Sequence, residues 1–432
     1  MVRKRAGRFP VYAVADRIER VMCGNGFVFM DNGQGYEVEK YDFSTAAPDA
    51  IKLHMGRTVL RTSILPAYLT EESISRNGLK LPLRLAGFGK VYRNDEKHPM
   101  KHQIEGAAIG GAAAPEVRKC LEDLARELYG SEAVLEIENS HERSSEITVR
   151  AGDRTVRIGR MEIIQEKTGF GEKGLIFILD ADQITMDVLD IDSPEKLYAC
   201  DGKEQGTYDG PEAAAVPSPA SGAAGILCRM GYQETCGPTM YPGDIYKKMN
   251  MIQEAWDRNN SGYALEEKLG DYTALRTVLT PSIEQALAEN YKKGNTDVRI
   301  FETGHVFLPR DGKILPKEHI MAAMGAYGPD VNIDSFRKDV TDFLQKMGVK
   351  ESRYVGTGMA SAYKWNECYV IMDGEDKYIE SNCGQISRKA LENFGIGTAA
   401  YMANFDLETL LESAHGCWKT KKQKRKDEID RD

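Results

Sequence analysis

The chain has 432 residues, 41% of them hydrophobic and 28% charged, with a net charge of −9. This length exceeds one ordinary core and predicts two domains of about 200 residues each. No apolar run is long enough to span a membrane, no apolar segment follows the basic Met1–Pro10 stretch as in a secretory signal, and a dedicated nucleic-acid binder would carry a basic balance. The eight cysteines (Cys23, Cys120, Cys200, Cys228, Cys236, Cys368, Cys383 and Cys417) form no CxxC pair. They predict reduced thiols in a cytoplasmic protein rather than a zinc knuckle or a disulfide framework.

In chain order, hydrophobic spacing predicts a helix over Val11–Cys23. A short segment ends in Leu60-Arg61-Thr62, and a helical stretch follows Pro66 over Ala67–Arg76. A strand is expected over Leu81–Arg93, a helix over Pro115–Tyr129, and strands over Glu146–Arg150, Thr155–Gln165 and Leu175–Ile178. From Asp201 to Ala224 the residues are mostly Gly, Pro, Ala, Ser and acids, which reads as an interdomain linker. Beyond it come helices at Tyr246–Asn259 and Ser282–Lys292, and a strand at Asp297–Leu308. A helix over Ser335–Met347, a strand over Cys368–Met372 and a helix over Ser387–Phe394 complete the pattern. Blocks of strands and helices of this kind predict an α+β fold. No GxGxxG or GxxxxGK[ST] loop supports a Rossmann or P-loop reading. The basic runs Arg3, Lys4, Arg5, Arg8 and Lys419, Lys421, Lys422, Lys424, Arg425, Lys426 read as solvated tails, with weak RNA contact as the alternative. Met321 and Met324 read as core.

The two halves repeat each other. Leu60-Arg61-Thr62 with Pro66 recurs as Leu275-Arg276-Thr277 with Pro281, an offset of 215. At that offset Arg84 meets Arg299, Gly89 meets Gly304, Val91 meets Val306, and Tyr92 meets Phe307. A gapless register of this length indicates a duplicated fold.

The richest chemical cluster is Val91-Tyr92-Arg93-Asn94-Asp95-Glu96-Lys97-His98-Pro99, followed by Lys101-His102-Gln103-Ile104-Glu105-Gly106. A strand delivers an arginine, a charged turn follows, and a returning strand carries Gln103 and Glu105 on one face. A guanidinium holds phosphate in a bidentate fork, and an adjacent Gln and Glu can accept an ammonium. The set suits an α-amino acid beside a nucleotide phosphate. The competing reading of the same residues is a solvated hairpin with surface ion pairs.

This cluster resembles motif 2 of the phenylalanyl-tRNA synthetase α chain, a class II aminoacyl-tRNA synthetase. Glu39, Phe43 and Leu60-Arg61-Thr62 resemble the segments leading into that family's site. The second half is similar to the β chain, through Gly231-Tyr232-Gln233-Glu234, Ala274 to Phe307, Gly384-Gln385-Ile386 and Phe405-Asp406-Leu407. The resemblance implies two tandem class II synthetase-like antiparallel sheets flanked by helices. It places an α-like catalytic core over 1–200, a linker over 201–224, a β-like module without a catalytic site over 225–412, and a basic disordered tail over 413–432. It implies that Arg93 binds the ATP α-phosphate as the catalytic residue, with Glu96 and His98 near the outer phosphates. Gln103 and Glu105 would face the amino-acid ammonium, Glu138 and Ser140 would line the side-chain pocket, and Glu142 and Glu146 would hold Mg²⁺ or shape the pocket. ATP, Mg²⁺, an amino acid, tRNA and a second copy of the chain are the implied partners.

The departures from that family are as specific. The aromatic residue expected under adenine is Lys101. The third motif, roughly GxGxER, falls on Ile178-Leu179-Asp180-Ala181-Asp182-Gln183, without either glycine or the arginine. Each face of an adenine sandwich contributes on the order of 1 kcal/mol. The family's two pocket phenylalanines fall at Glu138 and Ser140, and its polar contacts after the RT pair fall at Ser63, Ile64 and Leu65. No segment resembles the modules with which that family handles tRNA. Three readings therefore stand: adenylate formation on an amino acid other than phenylalanine, a non-catalytic amino-acid-binding or scaffold paralogue, and a genuine phenylalanine–tRNA ligase.

Overall fold

Helix α1 (Pro10–Gly24) spaces Val11, Val14, Ile18 and Met22 three or four residues apart, and all four are buried on one face. The computed structural model describes residues 7–30, 37–40, 47–53, 57–65, 80–111, 113–141, 144–164, 174–198, 219–251, 263–310, 313–356, 365–373 and 378–413. The chain divides into two compact units. One holds Pro10–Lys52 and Gly56–Ala199; the other holds Met1–Phe9, Leu53–Met55 and Cys200–Asp432.

Along the chain α1 is followed by β1 (Val28–Met30), β2 (Val38–Lys40), β3 (Lys52–Leu53) and β4 (Thr58–Leu60). Strands β5 (Leu83–Tyr92) and β6 (Met100–Ile109) form a long antiparallel hairpin, and β1 runs parallel along β5. Helix α2 (Ala113–Tyr129) buries Val117, Cys120, Leu121, Leu124 and Leu128. Strands β7 (Val134–His141), β8 (Ser144–Ala151), β9 (Arg154–Ile164) and β10 (Gly174–Asp180) come next, then α3 (Ala181–Leu189) and α4 (Pro194–Tyr198). The sheet order is β1-β5-β6-β10-β9-β8-β7. The last strand thus returns to the centre, between the hairpin and the β7–β9 meander.

The C-terminal unit opens with α5 (Pro219–Arg229), β11 (Gln233–Glu234), β12 (Met240–Pro242) and α6 (Ile245–Lys248). Strands β13 (Ala264–Leu269) and β14 (Tyr272–Leu275) precede α7 (Thr280–Lys292). The hairpin β15 (Val298–Leu308) and β16 (Lys317–Tyr327) leads to α8 (Ile333–Lys346). Then come β17 (Ser352–Gly356), β18 (Trp365–Asp373), β19 (Tyr378–Ile386), α9 (Arg388–Phe394), β20 (Tyr401–Asp406) and α10 (Leu407–Ser413). The sheet order, β11-β15-β16-β20-β19-β18-β17, repeats that of the first unit position for position, including a short parallel strand at one edge. Strand alternation sends Ala322, Met324 and Ala326 into one apolar core and Ala323 and Tyr327 into another, so both faces of this sheet are packed.

Two readings from composition are corrected. Residues 219–224, taken for linker, begin helix α5, in which Ala223, Ala224, Ile226, Leu227 and Cys228 are all buried. A helix apolar nearly all round shows no amphipathic period, and its small residues mimic a Pro/Ala linker. Arg8, taken for a solvated tail, is buried: its Nε donates to Glu234 Oε2 at 2.7 Å, and Phe9 N donates to the same oxygen at 3.0 Å. The helix expected over Ala67–Arg76 and the tail after Ser413 lie outside the described residues.

Candidate functional site

A cleft of about 1080 Å³ opens on one face of the N-terminal sheet. Its rim is the β5–β6 turn, which the chemistry of Asp95 shapes. The Asp95 carboxylate accepts from Lys97 N at 2.9 Å and His98 N at 3.3 Å, a side-chain turn. Those backbone hydrogen bonds hold its carboxyl below the ordinary carboxylate range. Arg93 reaches the cleft with its side chain about one-third exposed, Nε 3.2 Å from Asp49 Oδ2. Glu96, His98 and Lys101 line the same rim.

Register decides what the floor presents, because directly opposed residues share a face. Gln103 on β6 lies opposite Asp180 on β10, and both line the cleft. One row further, Gly87, Glu105, Ile178, Arg160, Glu146 and Glu138 stand side by side across β5, β6, β10, β9, β8 and β7. In β9 the pairing shifts at Ile158, which is extra relative to β8. This bulge puts Arg157 and Arg160, three residues apart, on the same face, where a regular strand would separate them. Both line the cleft.

Glu105, expected to face a ligand ammonium, is not among the residues that line the cleft. It is fully buried, and its Oε2 accepts from Ser63 Oγ at 2.6 Å, Ile64 N at 2.9 Å and Leu65 N at 3.1 Å. Its carboxylate therefore pins the turn that follows Arg61. Glu138 and Ser140 are exposed on the edge strand β7, away from the cleft, because β7 is the strand farthest from the hairpin. Ser140 Oγ donates to Ser144 O at 3.0 Å. Glu146 pairs with Arg157, Oε1 to Nη2 at 3.2 Å. Glu142 lies outside the described residues. Among the described residues no group of three or more His, Cys, Asp or Glu is placed to hold a metal ion.

The third motif becomes the junction of β10 and α3. Asp180 caps α3 by accepting from Gln183 N at 3.0 Å. Burial lifts the Asp180 carboxyl above its ordinary value, with the Gln183 N–H pulling the other way. Gln183 stands on the cleft wall, its Nε2 donating to Asp187 Oδ1 at 3.0 Å. Burial raises Asp187 as well. Asp182 turns inward instead. Its Oδ2 accepts from His102 N at 3.0 Å, its Oδ1 lies 3.0 Å from His102 Nδ1, and Tyr198 OH donates to it at 3.1 Å. His102 is fully buried and stacked on Phe88, ring centroids 5.6 Å apart. Strand alternation thus splits the HQ pair: His102 anchors α3 from behind, while Gln103 looks into the cleft. Sequence reasoning missed Asp49, Arg157, Arg160 and Asp187. The one local signal for the bulge is Gly159, a glycine inside a strand pattern.

Residues 2–151 match the family model of the tRNA synthetase class II core domain (F), and residues 221–407 match that of the phenylalanyl-tRNA synthetase beta chain CLM domain. Together with the two repeated sheets, these matches define a class II aminoacyl-tRNA synthetase-like chain. Within that class it resembles phenylalanyl-tRNA synthetase. The phenylalanine–tRNA ligase beta subunit of Clostridium tetani is 26% identical over 212 residues, 48% of this chain and 26% of that protein. The beta subunit of Clostridium acetobutylicum is 26% identical over 192 residues, 44% and 23% of the two chains. That of Symbiobacterium thermophilum is 23% identical over 199 residues, 43% and 22%. The chain spans about a quarter of the length of these relatives. No helix among the described residues is long and apolar enough to cross a membrane.

Proposed function

We propose that the N-terminal unit is an amino-acid-binding module of synthetase descent that does not sustain ATP-dependent adenylation. A polar α-amino acid sits with its carboxylate at Arg93 and its ammonium at Gln103 and Asp180. The observation that carries this reading is the opposition of Gln103 and Asp180 on the floor of a cleft whose rim holds Arg93. An amide oxygen and a dehydrated carboxylate together accept an ammonium, and its arrival restores the charge that burial disfavours on Asp180.

The donor set fits Mg²⁺ and ATP poorly. No cation rises from the start of α3, where Gln183 is tied to Asp187. Asp180 and Asp187 face the space a triphosphate would need, and like charges at close range oppose each other. Among the described residues the acids of the cleft are not gathered into a group of three or more that could hold the metal. Adenylate formation on an amino acid other than phenylalanine is the second reading, favoured by the place of Arg93 at the end of the β5–β6 hairpin. For that reading Arg93 would be the catalytic residue, holding the α-phosphate.

Calorimetric titration with each standard amino acid, run beside ATP–pyrophosphate exchange in Mg²⁺, separates the two. The expected result is saturable binding of a polar amino acid, lost in Arg93→Ala, without exchange. Exchange above the Arg93→Ala background would establish adenylation instead. Folded protein that binds no amino acid and shows no exchange would remove both readings.

A further inference from the structure

The cleft floor continues past the Gln103–Asp180 pair in a definite direction. Ile178 follows on β10, one row along, and Arg160 lies directly opposite Ile178 on β9. All four residues line the cleft. An apolar step thus separates the two polar ends of the site. Strands β6 and β9 are two spacings apart, about 10 Å. An amino acid held by its ammonium at Gln103 and Asp180 would run its side chain across Ile178 toward Arg160.

Arg160 can receive an anion there. Its side chain is half exposed, and it meets Glu162, itself half exposed, through Nε, 3.2 Å from Oε1. A guanidinium offers five N–H donors in a planar fork matched to a carboxylate, and exposed ion pairs exchange partners readily. Arg157 stands beside it on the same face, pulled there by the bulge at Ile158, and pairs with Glu146 at 3.2 Å. The acids of the cleft are engaged elsewhere: Asp49 with Arg93, Asp187 with Gln183, and Asp95 with its own turn. Glu96 belongs to the rim turn.

The C-terminal unit supplies an internal control. Its matching row reads Glu302, Ala323, Asn404, Asn382, Val370 and Val355. Asn382 occupies the place of Arg160, and Val370 that of Glu146. The fold does not need an arginine at this position, since the repeated sheet is built with an asparagine that hydrogen-bonds Asn404 at 2.9 Å.

We infer that the ligand of the N-terminal cleft is an acidic α-amino acid, its side-chain carboxylate received by Arg160 over a floor made by Ile178. Arg160 is the specificity-determining residue, and Arg157 supports it. This rests on the amino-acid-binding reading above and names the substrate class of that site.

The test is calorimetric titration of the full chain with glutamate, aspartate, glutamine, asparagine, lysine and phenylalanine, repeated in Arg160→Gln and Arg160→Glu. Thermal melts confirm folding, and Arg160→Lys serves as the conservative variant. Glutamate or aspartate should bind best. Arg160→Gln should weaken that binding about tenfold or more while changing glutamine binding little, because a charged hydrogen bond is lost only with the acid. Arg160→Glu should abolish acidic binding and admit lysine, and Arg160→Lys should restore part of the affinity. Preference for a neutral or basic amino acid in the wild-type protein would overturn the inference and leave the amino-acid-binding reading standing. Acidic binding that is unaffected by every Arg160 variant would also overturn it. Binding of no amino acid by the folded chain would sink the underlying reading, and this inference with it.

Discussion

The two sheets share one strand order, yet their matching rows carry different chemistry. Across the N-terminal sheet the row is Gly87, Glu105, Ile178, Arg160, Glu146, Glu138; across the C-terminal sheet it is Glu302, Ala323, Asn404, Asn382, Val370, Val355. Three acids and an arginine in one unit correspond to one acid and no base in the other. That remaining acid, Glu302, is spent inside the fold. It lies 2.6 Å from Arg276 Nη1 and accepts from Ser282 Oγ at 2.6 Å. The same face then packs Ile283, Leu287, Leu391 and Phe394 into an apolar core. The lesson is that one scaffold builds a polar cleft or a second hydrophobic layer according to a handful of residues in register.

What the two units keep in common is the arginine of the LRT repeat. Arg61 and Arg276 are among the most buried large side chains of the protein. Arg61 Nε donates to Lys90 O at 2.8 Å, and Arg276 Nε donates to His305 O at 2.7 Å. Tyr92 N donates to Arg61 O, and Phe307 N to Arg276 O. Each arginine therefore ties its turn to the hairpin strand beside it. The repeat persists in sequence because it is a structural clamp, independent of whether the unit binds a ligand.

Breaking the clamp where it is driest should have the largest effect. Arg276→Ala leaves Glu302 buried without its cation, and such a loss costs about 3–5 kcal/mol. Urea unfolding should show it as a large drop in midpoint. A loss under about 1 kcal/mol, the size expected of an exposed pair, would mean that the clamp is solvated and the comparison fails.

Packing sharpens the contrast next. Gly106 lies opposite Phe177 in the N-terminal sheet, where the matching pair in the other unit is Met324 and Ala403. Bulk sits on the central strand in one unit and on the hairpin strand in the other. A Cβ on Gly106 would come within 2.0 Å of the Phe177 ring. Gly106→Ala should therefore destabilise by roughly 1–3 kcal/mol through overpacking. Adding Phe177→Leu should recover part of the loss, a non-additivity read from a double-mutant cycle. Simple additivity would mean that the two side chains do not meet.

These comparisons also explain how much could be read beforehand. The LRT repeat, the β5–β6 hairpin, strand β15 and the amphipathic helices were legible, because each signal is local in the chain. That Arg93 and Gln103 flank one charged turn was legible for the same reason. Arg160 was not, since its place depends on β10 inserting between β6 and β9 and on a bulge at Ile158. Glu105 and Gln103 share a face, as strand period 2 requires, but only the turn at Ser63–Leu65 decides which of them a ligand could reach. Asp182 and Gln183 looked like the remains of a nucleotide motif. Packing shows that Asp182 is bound to His102 on the helical side and that Gln183 alone faces the cleft.

The finest contrast is between Asp180 and Asp406, the last residues of β10 and β20, which pair with Gln103 and Met321 at matching positions. Their carboxyls are displaced in opposite directions. Burial raises Asp180. Burial also pushes Asp406 up, but the hydrogen bond and charge of His319 and the backbone N–H groups of Thr409 and Glu408 outweigh it, and Asp406 sits below its ordinary value. Linkage fixes the consequences. A depressed folded pKa contributes stability that is present above the unfolded value, about 4, and lost as pH falls through the folded value. A raised folded pKa does the reverse: its cost is absent below the unfolded value, grows as pH rises from there to the folded value, and is full above it. Asp406→Asn should therefore destabilise by about 1–3 kcal/mol at neutral pH, and the deficit should shrink in acid. Asp180→Asn keeps a capping oxygen and should leave stability unchanged or slightly higher at neutral pH, with any gain vanishing in acid. Denaturation midpoints from pH 3 to 7 give both differences, and two slopes of the same sign would contradict the opposed environments of these aspartates.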